Sequence, residues 1–314
     1  MNLHKMSVVL LALLLAAMAM VPMVSAVNDS AKQLTEPQLI TISDSTQKET
    51  LTEMIKELGA TSNGDVKERN ILIKQLQEIV KGRTSLSNTQ KADVLSRAGK
   101  ILAQSDTMSG TITPQWAGCY YPGCSAEHND MAKVAGQKMG VNSYYTNILY
   151  QYASEPDRSG SADHYAITGA PQKAEDWANA ARPLIRSGTD PSTGYKDLSY
   201  SMHYMSDMSE PFHYAVVYLA NHAAYESYVD ANWNSSKTYV NAINGNTYYY
   251  YITDVSASAD NLAAFALQYR QYINNEMNTV SNWGDDPTLV QDTKDCLVYG
   301  ERYDMGLVNY ATRP

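Results

Sequence analysis

Every aromatic residue of the chain lies at or after Trp116: 24 tyrosines, 4 tryptophans and both phenylalanines. Aromatic rings are the largest single contributors of buried apolar area, so the segments on either side of this boundary must build their cores from different materials. The stretch 27–115 has only aliphatic side chains to bury and carries 11 basic and 11 acidic residues. The stretch 116–314 carries 12 basic and 22 acidic residues, a net charge of −10. The boundary therefore separates a small neutral unit from an acidic one of about 200 residues, long enough to enclose a sizeable core.

Residues 1–26 read as a signal peptide: Lys5 precedes the apolar run Val8–Met20, and Val24-Ser25-Ala26 offers small residues for cleavage. Met6–Ala26 is also about long enough to anchor in a bilayer, but Pro22 and the small-residue end favour cleavage. A secreted, extracellular protein is expected. In an oxidising compartment Cys119 and Cys124 can close a small loop, leaving Cys296 free. Thiolate zinc ligation is the alternative, although three cysteines so placed match no zinc-finger spacing. The acidic balance does not point to a protein that holds nucleic acid by electrostatic attraction, and no stable nucleic-acid complex is expected, although it leaves room for an enzyme that meets phosphate through bound metal.

Helical periodicity dominates both units, and the expected fold class is all-α. In 27–103, Leu51, Met54, Ile55 and Leu58 recur on one helix face, Asp65 and Glu68 form a capping-box pattern ahead of a second helix that Gly82 should stop, and Leu95, Ala98 and Leu102 mark a third. Residues 104–115 contain the small, polar, Gly/Pro-bearing run Ser105–Gln115, which reads as an exposed linker open to proteolysis. The unit 27–103 is thus either a removable pro-segment or an ordinary N-terminal helical domain that stays in place. Beyond it, Ser125 can cap a helix ending at Gly140, and apolar-periodic stretches follow at 142–153, 171–187, 194–208, 215–230, 258–280 and 287–311. Tyr248–Tyr251 is a strand or a loop.

Five histidines lie beyond the signal peptide: His128, His164, His203, His213 and His222. His203 and Asp207 stand four apart, as do His222 and Glu226, which sets imidazole above carboxylate on one helix face. Pro211 ends the first of these helices and His213 follows at once. A single pair of this kind is more often a surface ion pair. Two pairs, a histidine between them and no histidine left over point to a metal bound by nitrogen and oxygen, which suits zinc.

The run His203-Tyr-Met-Ser-Asp207-Met-Ser-Glu-Pro211-Phe-His213, followed by His222-Ala-Ala-Tyr-Glu226, resembles the core signature of the bacterial zinc-dependent phospholipase C and S1/P1 nuclease family. The resemblance covers most of 116–314, with its specific motifs at 203–226. It implies a multi-helix domain with three Zn2+ ions at the bottom of a cleft. On that pattern Asp157, His164, His203 and Asp207 would hold the first ion; His213, His222 and Glu226 the second; and Trp116, His128 and a shared Asp207 the third. Asp163 is the alternative to Asp157. The family uses the free α-amino group of an N-terminal tryptophan as a ligand, which gives cleavage before Trp116 by an activating protease a chemical purpose: a zymogen.

The resemblance further implies a phosphoric diester hydrolase in which Asp157 activates water. Glu226, the nine-residue step from His213 to His222 and the acidic charge favour a phospholipid substrate, with peripheral membrane contact, over single-stranded nucleic acid. By rough placement, Cys119 and Arg158 stand where the phospholipases carry a headgroup-binding acid and aromatic, which puts choline specificity in question. The non-enzymatic alternative is a zinc-binding surface protein without turnover. N-terminal sequencing of exported protein checks the processing: Trp116 should appear as an N-terminus, and an intact Met1 would contradict both cleavages.

Overall fold

The structure, a computed structural model, describes residues 31–108, 127–159, 163–235 and 237–314. The expected signal peptide, Trp116, Cys119, Cys124 and the expected cut before Trp116 all fall outside these residues. Eleven helices and one two-stranded sheet account for the described fold. The all-α expectation holds. None of the described helices is long and apolar enough to cross a membrane.

The N-terminal layer begins with strand β1 (Lys32–Leu34) and continues as helices α1 (Asp44–Ala60), α2 (Val66–Val80) and α3 (Asn88–Met108). Ser43 caps α1, and Asp65 caps α2 by accepting from the amides of Lys67 and Glu68. Only that half of the expected capping box is made, because the Glu68 carboxylate turns to Arg97 at 2.9 Å. Gly82, at φ +65°, follows the end of α2 in the left-handed region where glycine is cheapest. Helix α3 runs to Met108, into the segment the sequence suggested as linker. Its polar last turn is compatible with a helix, and the next residue that disfavours one is Gly110.

The larger unit contains α4 (Glu127–Lys138), α5 (Ser143–Tyr152), α6 (Ala170–Ser187), α7 (Pro191–Asp207), α8 (Leu219–Asn232), α9 (Tyr239–Gly245), α10 (Val255–Thr279) and α11 (Pro287–Thr312). Helix α7 is its axis. Residues 201–207 are all buried, because α4, α5, α6 and α11 pack around it. A helix buried on every side can place ligands inside the molecule whichever way they point. Tyr248–Tyr250, left open between strand and loop, is strand β2, paired in parallel with β1. The apolar run 215–218, expected to be helical, is a loop: Ala215, Val216 and Val217 are buried, Tyr218 sits at φ +57°, and α8 starts only at Leu219.

The compositional boundary at Trp116 does not separate two cores. Met54, Leu58, Leu72, Leu76, Ala98 and Leu102 form one buried cluster with Tyr165 and Ala215–Val217. Fully burying such an aliphatic side chain contributes about 1.5–3 kcal/mol, against at most about 1 kcal/mol for an exposed ion pair such as Lys100–Asp163 at 3.9 Å. Aliphatic packing, not charge, joins the layers. At the other end of the sheet α11 crosses β2 so closely that a Cβ on Gly306 would lie 2.5 Å from the Tyr250 carbonyl oxygen. Gly306→Ala should therefore lower unfolding stability by about 1–3 kcal/mol in urea titrations; a change within experimental error would mean the backbones do not approach this closely.

Candidate metal centre

Helix α7 delivers His203 and Asp207 from its last turn, one above the other, as the four-residue spacing demands. The chain then turns through Pro211 and places His213 beside the same helix end. Helix α8 supplies His222 from its first turn and Glu226 one turn later. His128 comes from the first turn of α4, and Asp157 and His164 from the short turns between α5 and α6. All seven of these imidazole and carboxylate groups other than Asp157 are at most 2% exposed as residues, and the Asp157 side chain is 5% exposed.

The ligand atoms converge in two tight groups. Nε2 of His213, Nε2 of His222 and Oε1 of Glu226 form a triangle with edges of 3.0, 3.0 and 3.1 Å. Nδ1 of His164 lies 2.9 Å from Oδ2 of Asp207 and 3.1 Å from Nε2 of His203; Nε2 of His203 lies 3.4 Å from Oδ2 of Asp207 and from Oδ1 of Asp157. Donor atoms at zinc-ligand distances on a tetrahedron are about 3.3 Å apart, so both groups have the spacing of a coordination shell. The second carboxylate oxygen of Asp207, Oδ1, faces His128 Nε2 at 3.4 Å and His213 Nδ1 at 3.4 Å. Asp207 thus touches both sides of the cluster. His128 is held by Ser206, whose hydroxyl stands 3.1 Å from Nδ1; such support orients a ring for its other nitrogen.

Charge supplies an independent test of fit. Among the described residues, the ion-pair partners of Asp157 and Asp207 are all histidines. Burial pushes the Asp157 carboxyl well above the usual range, and the charges of Asp207 and Glu226 push it further. Oδ2 of Asp157 is buried without a hydrogen-bond partner. Burial would also raise Asp207, but His203, His164 and His128 pull it well below the ordinary carboxylate value; His222 and His213 do the same for Glu226. Burial and the neighbouring His128 lower His203, whereas carboxylates overcome burial and raise His213 and His222. Asp207 also sits at the C-terminal end of α7, where the helix dipole disfavours an anion. Buried carboxylates and imidazoles gathered at a negative helix end are a donor set that suits a cation, and these residues can hold one or more metal ions.

Of the residues singled out in the sequence, the structure brings together His128, Asp157, His164, His203, Asp207, His213, His222 and Glu226. Asp163 faces outward to Lys100 at 3.9 Å and Lys173 at 4.0 Å. Trp116 lies outside the described residues. Two residues at the centre escape sequence reading. Glu210 groups with His213 and His222, accepts the Phe212 amide, and is pushed by burial up to about 7; its place midway between Asp207 and His213 was the available signal. Tyr165 sets its hydroxyl 3.5 Å from His222 Nδ1, and nothing in its sequence context announces that. Cys296 is free and buried.

No protein-family model and no curated protein matches the chain. Among solved structures it aligns with Alpha Toxin from Clostridium Absonum at 13% identity and a TM-score of 0.31, over 89% of this chain and 65% of that one. The chain therefore spans less than two thirds of that protein, and an alignment this loose says nothing of shared chemistry.

The pKa pattern predicts how the centre loads. Asp207 and Glu226 raise His213, and Glu226 raises His222, against the effect of burial, so in the metal-free protein they keep protons to higher pH than a free imidazole does, and a metal requires the neutral imidazole. Loading must expel those protons, so affinity rises with pH, about tenfold per pH unit for each proton displaced. His203, already lowered, contributes none. Zinc titration in weak buffer at pH 6 and pH 8 checks this; loading without proton release at pH 6 would contradict it.

Proposed function

We propose that the chain is an exported, zinc-dependent phosphodiesterase that cleaves a phospholipid headgroup ester in the manner of a phospholipase C. The observation that carries this reading is the pair of adjacent ligand groups, one built on Asp207 and the other on Glu226, assembled from five buried histidines and three carboxylates. Three zinc ions are proposed: one at Asp157, His164, His203 and Asp207, one at His213, His222 and Glu226, and one at His128, Asp207 and the amino terminus of Trp116 after cleavage. Bound zinc would acidify a water molecule and neutralise phosphoryl oxygens.

The protein's own groups divide the remaining work. Asp207 and Glu226, drawn below the ordinary carboxylate range by their histidines, stay ionised and serve as ligands. Asp157 differs, because its Oδ2 is buried without a hydrogen-bond partner and is placed to take a proton from attacking water. Ser206 fixes the face that His128 presents. The acidic charge of 116–314 and Glu226 at the end of the second motif favour lipid over nucleic acid.

Metal-stripped and zinc-loaded mature protein should be assayed side by side on phosphatidylcholine vesicles, single-stranded DNA and a chromogenic phosphodiester. The expected result is vesicle hydrolysis that needs zinc, with His203→Ala lowering kcat/KM by more than about a hundredfold. Preferred hydrolysis of DNA would move the substrate to nucleic acid. Bound zinc with no turnover on any of the three would leave a metal-binding surface protein instead.

A further inference from the structure

The N-terminal layer grips the two loops that carry His164 and His213. Ala166 and Ile167 donate their amides to the carbonyls of His213 and Tyr214 at 2.8 and 3.2 Å, so these loops are tied to each other beside the metal centre. Their outer side, Tyr165 and Ala215–Val217, is buried in one cluster with Met54, Leu58, Leu72 and Leu102. Helix α3 lies so close to the first loop that a Cβ on Gly99 would stand 2.6 Å from Thr168 Cγ2. Polar contacts extend the grip. Tyr218, in the second loop, donates to Glu49 at 2.9 Å. Arg270 of α10, 1% exposed, donates to Thr50 Oγ1 at 2.7 Å and stacks over the Tyr218 ring at 5.5 Å.

A second attachment runs along the opposite flank. Strand β1 joins β2 in parallel register, with Lys32 beside Tyr248 and Leu34 beside Tyr250. The chain after β1 is then pinned to α10: Ser258 donates to Glu36 at 2.7 Å, and Asn261 accepts from the Ile40 amide at 2.9 Å and donates to the Pro37 carbonyl at 3.3 Å. Contacts so separated in sequence do not depend on the covalent link between 108 and 127. They combine an apolar core, a strand pairing and partly buried hydrogen bonds, the ingredients of a durable interface.

We propose that residues 31–108 are a docked partner of the larger unit rather than a leader attached by its linker: cutting the chain between 108 and 116 leaves a two-fragment complex, and the bound fragment holds the His164 and His213 loops in place. Scission and release are then separate events, and freeing the larger unit requires a further step that breaks the aliphatic core or the β1–β2 pairing. The proposal rests on this interface alone, not on phosphodiester hydrolysis, and its test involves no turnover.

The test uses full-length protein in which a site-specific protease sequence replaces residues 110–115. After complete cleavage, the two fragments should co-elute at equal stoichiometry in gel filtration. The Ala166 and Ile167 amides should keep their hydrogen-exchange protection. In cut protein carrying Gly99→Val the fragments should separate and those amides should exchange at least about tenfold faster. Thr50→Val, which leaves the Arg270 partner site empty without adding bulk, serves where Gly99→Val does not fold, and should speed the same exchange. Wild-type fragments that elute apart on cutting would overturn the proposal. So would amides whose exchange is indifferent to departure of the N-terminal fragment.

Discussion

Asp207 is a carboxylate at the negative end of a helix whose last two turns are buried, surrounded by His128, His164, His203 and His213 at 2.9 to 3.4 Å. Neither burial nor the helix dipole favours a charge there, and no lysine or arginine among the described residues pairs with it. Imidazoles meet it from four separate segments. A cation shared through its two oxygens would reconcile these facts, since it would neutralise Asp207, relieve the repulsion felt by Asp157 and give each imidazole nitrogen something to bind. The packing of α4, α5, α6 and α11 around α7 serves to hold these groups within a few ångström of one another.

The part of this centre carried on helices was legible in the sequence, because a spacing of four fixes which side chains share a face. His203 with Asp207 and His222 with Glu226 could be placed relative to each other before any fold was known. Asp157, His164 and Glu210 lie on turns, where spacing alone fixes no shared face, and Asp157 was preferred over Asp163 only on the resemblance. Most of the helices were visible as periodic apolar stretches, but the short α9 (Tyr239–Gly245) was not read from the sequence. The run 215–218 misled, since apolar residues buried on all sides carry no period, and here they are buried by a layer more than a hundred residues away in sequence.

The same layer explains why composition was a poor guide to independence. The absence of aromatic residues before Trp116 suggested a separate unit, yet aliphatic helices can complete a core begun by someone else's loops. The larger unit leaves Tyr165 and Ala215–Val217 without cover of their own, and α1–α3 provide it. The N-terminal layer and the metal centre are consequently neighbours, separated by the thickness of the loops that bear His164 and His213.

The central claim is that the histidines and carboxylates around Asp207 enclose metal. Anomalous diffraction from crystals of zinc-loaded protein, measured on both sides of the zinc absorption edge, tests it most directly. The account predicts strong peaks between His164, His203 and Asp207 and between His213, His222 and Glu226. A map with both places empty, in protein whose histidines nonetheless adopt this arrangement, would contradict it.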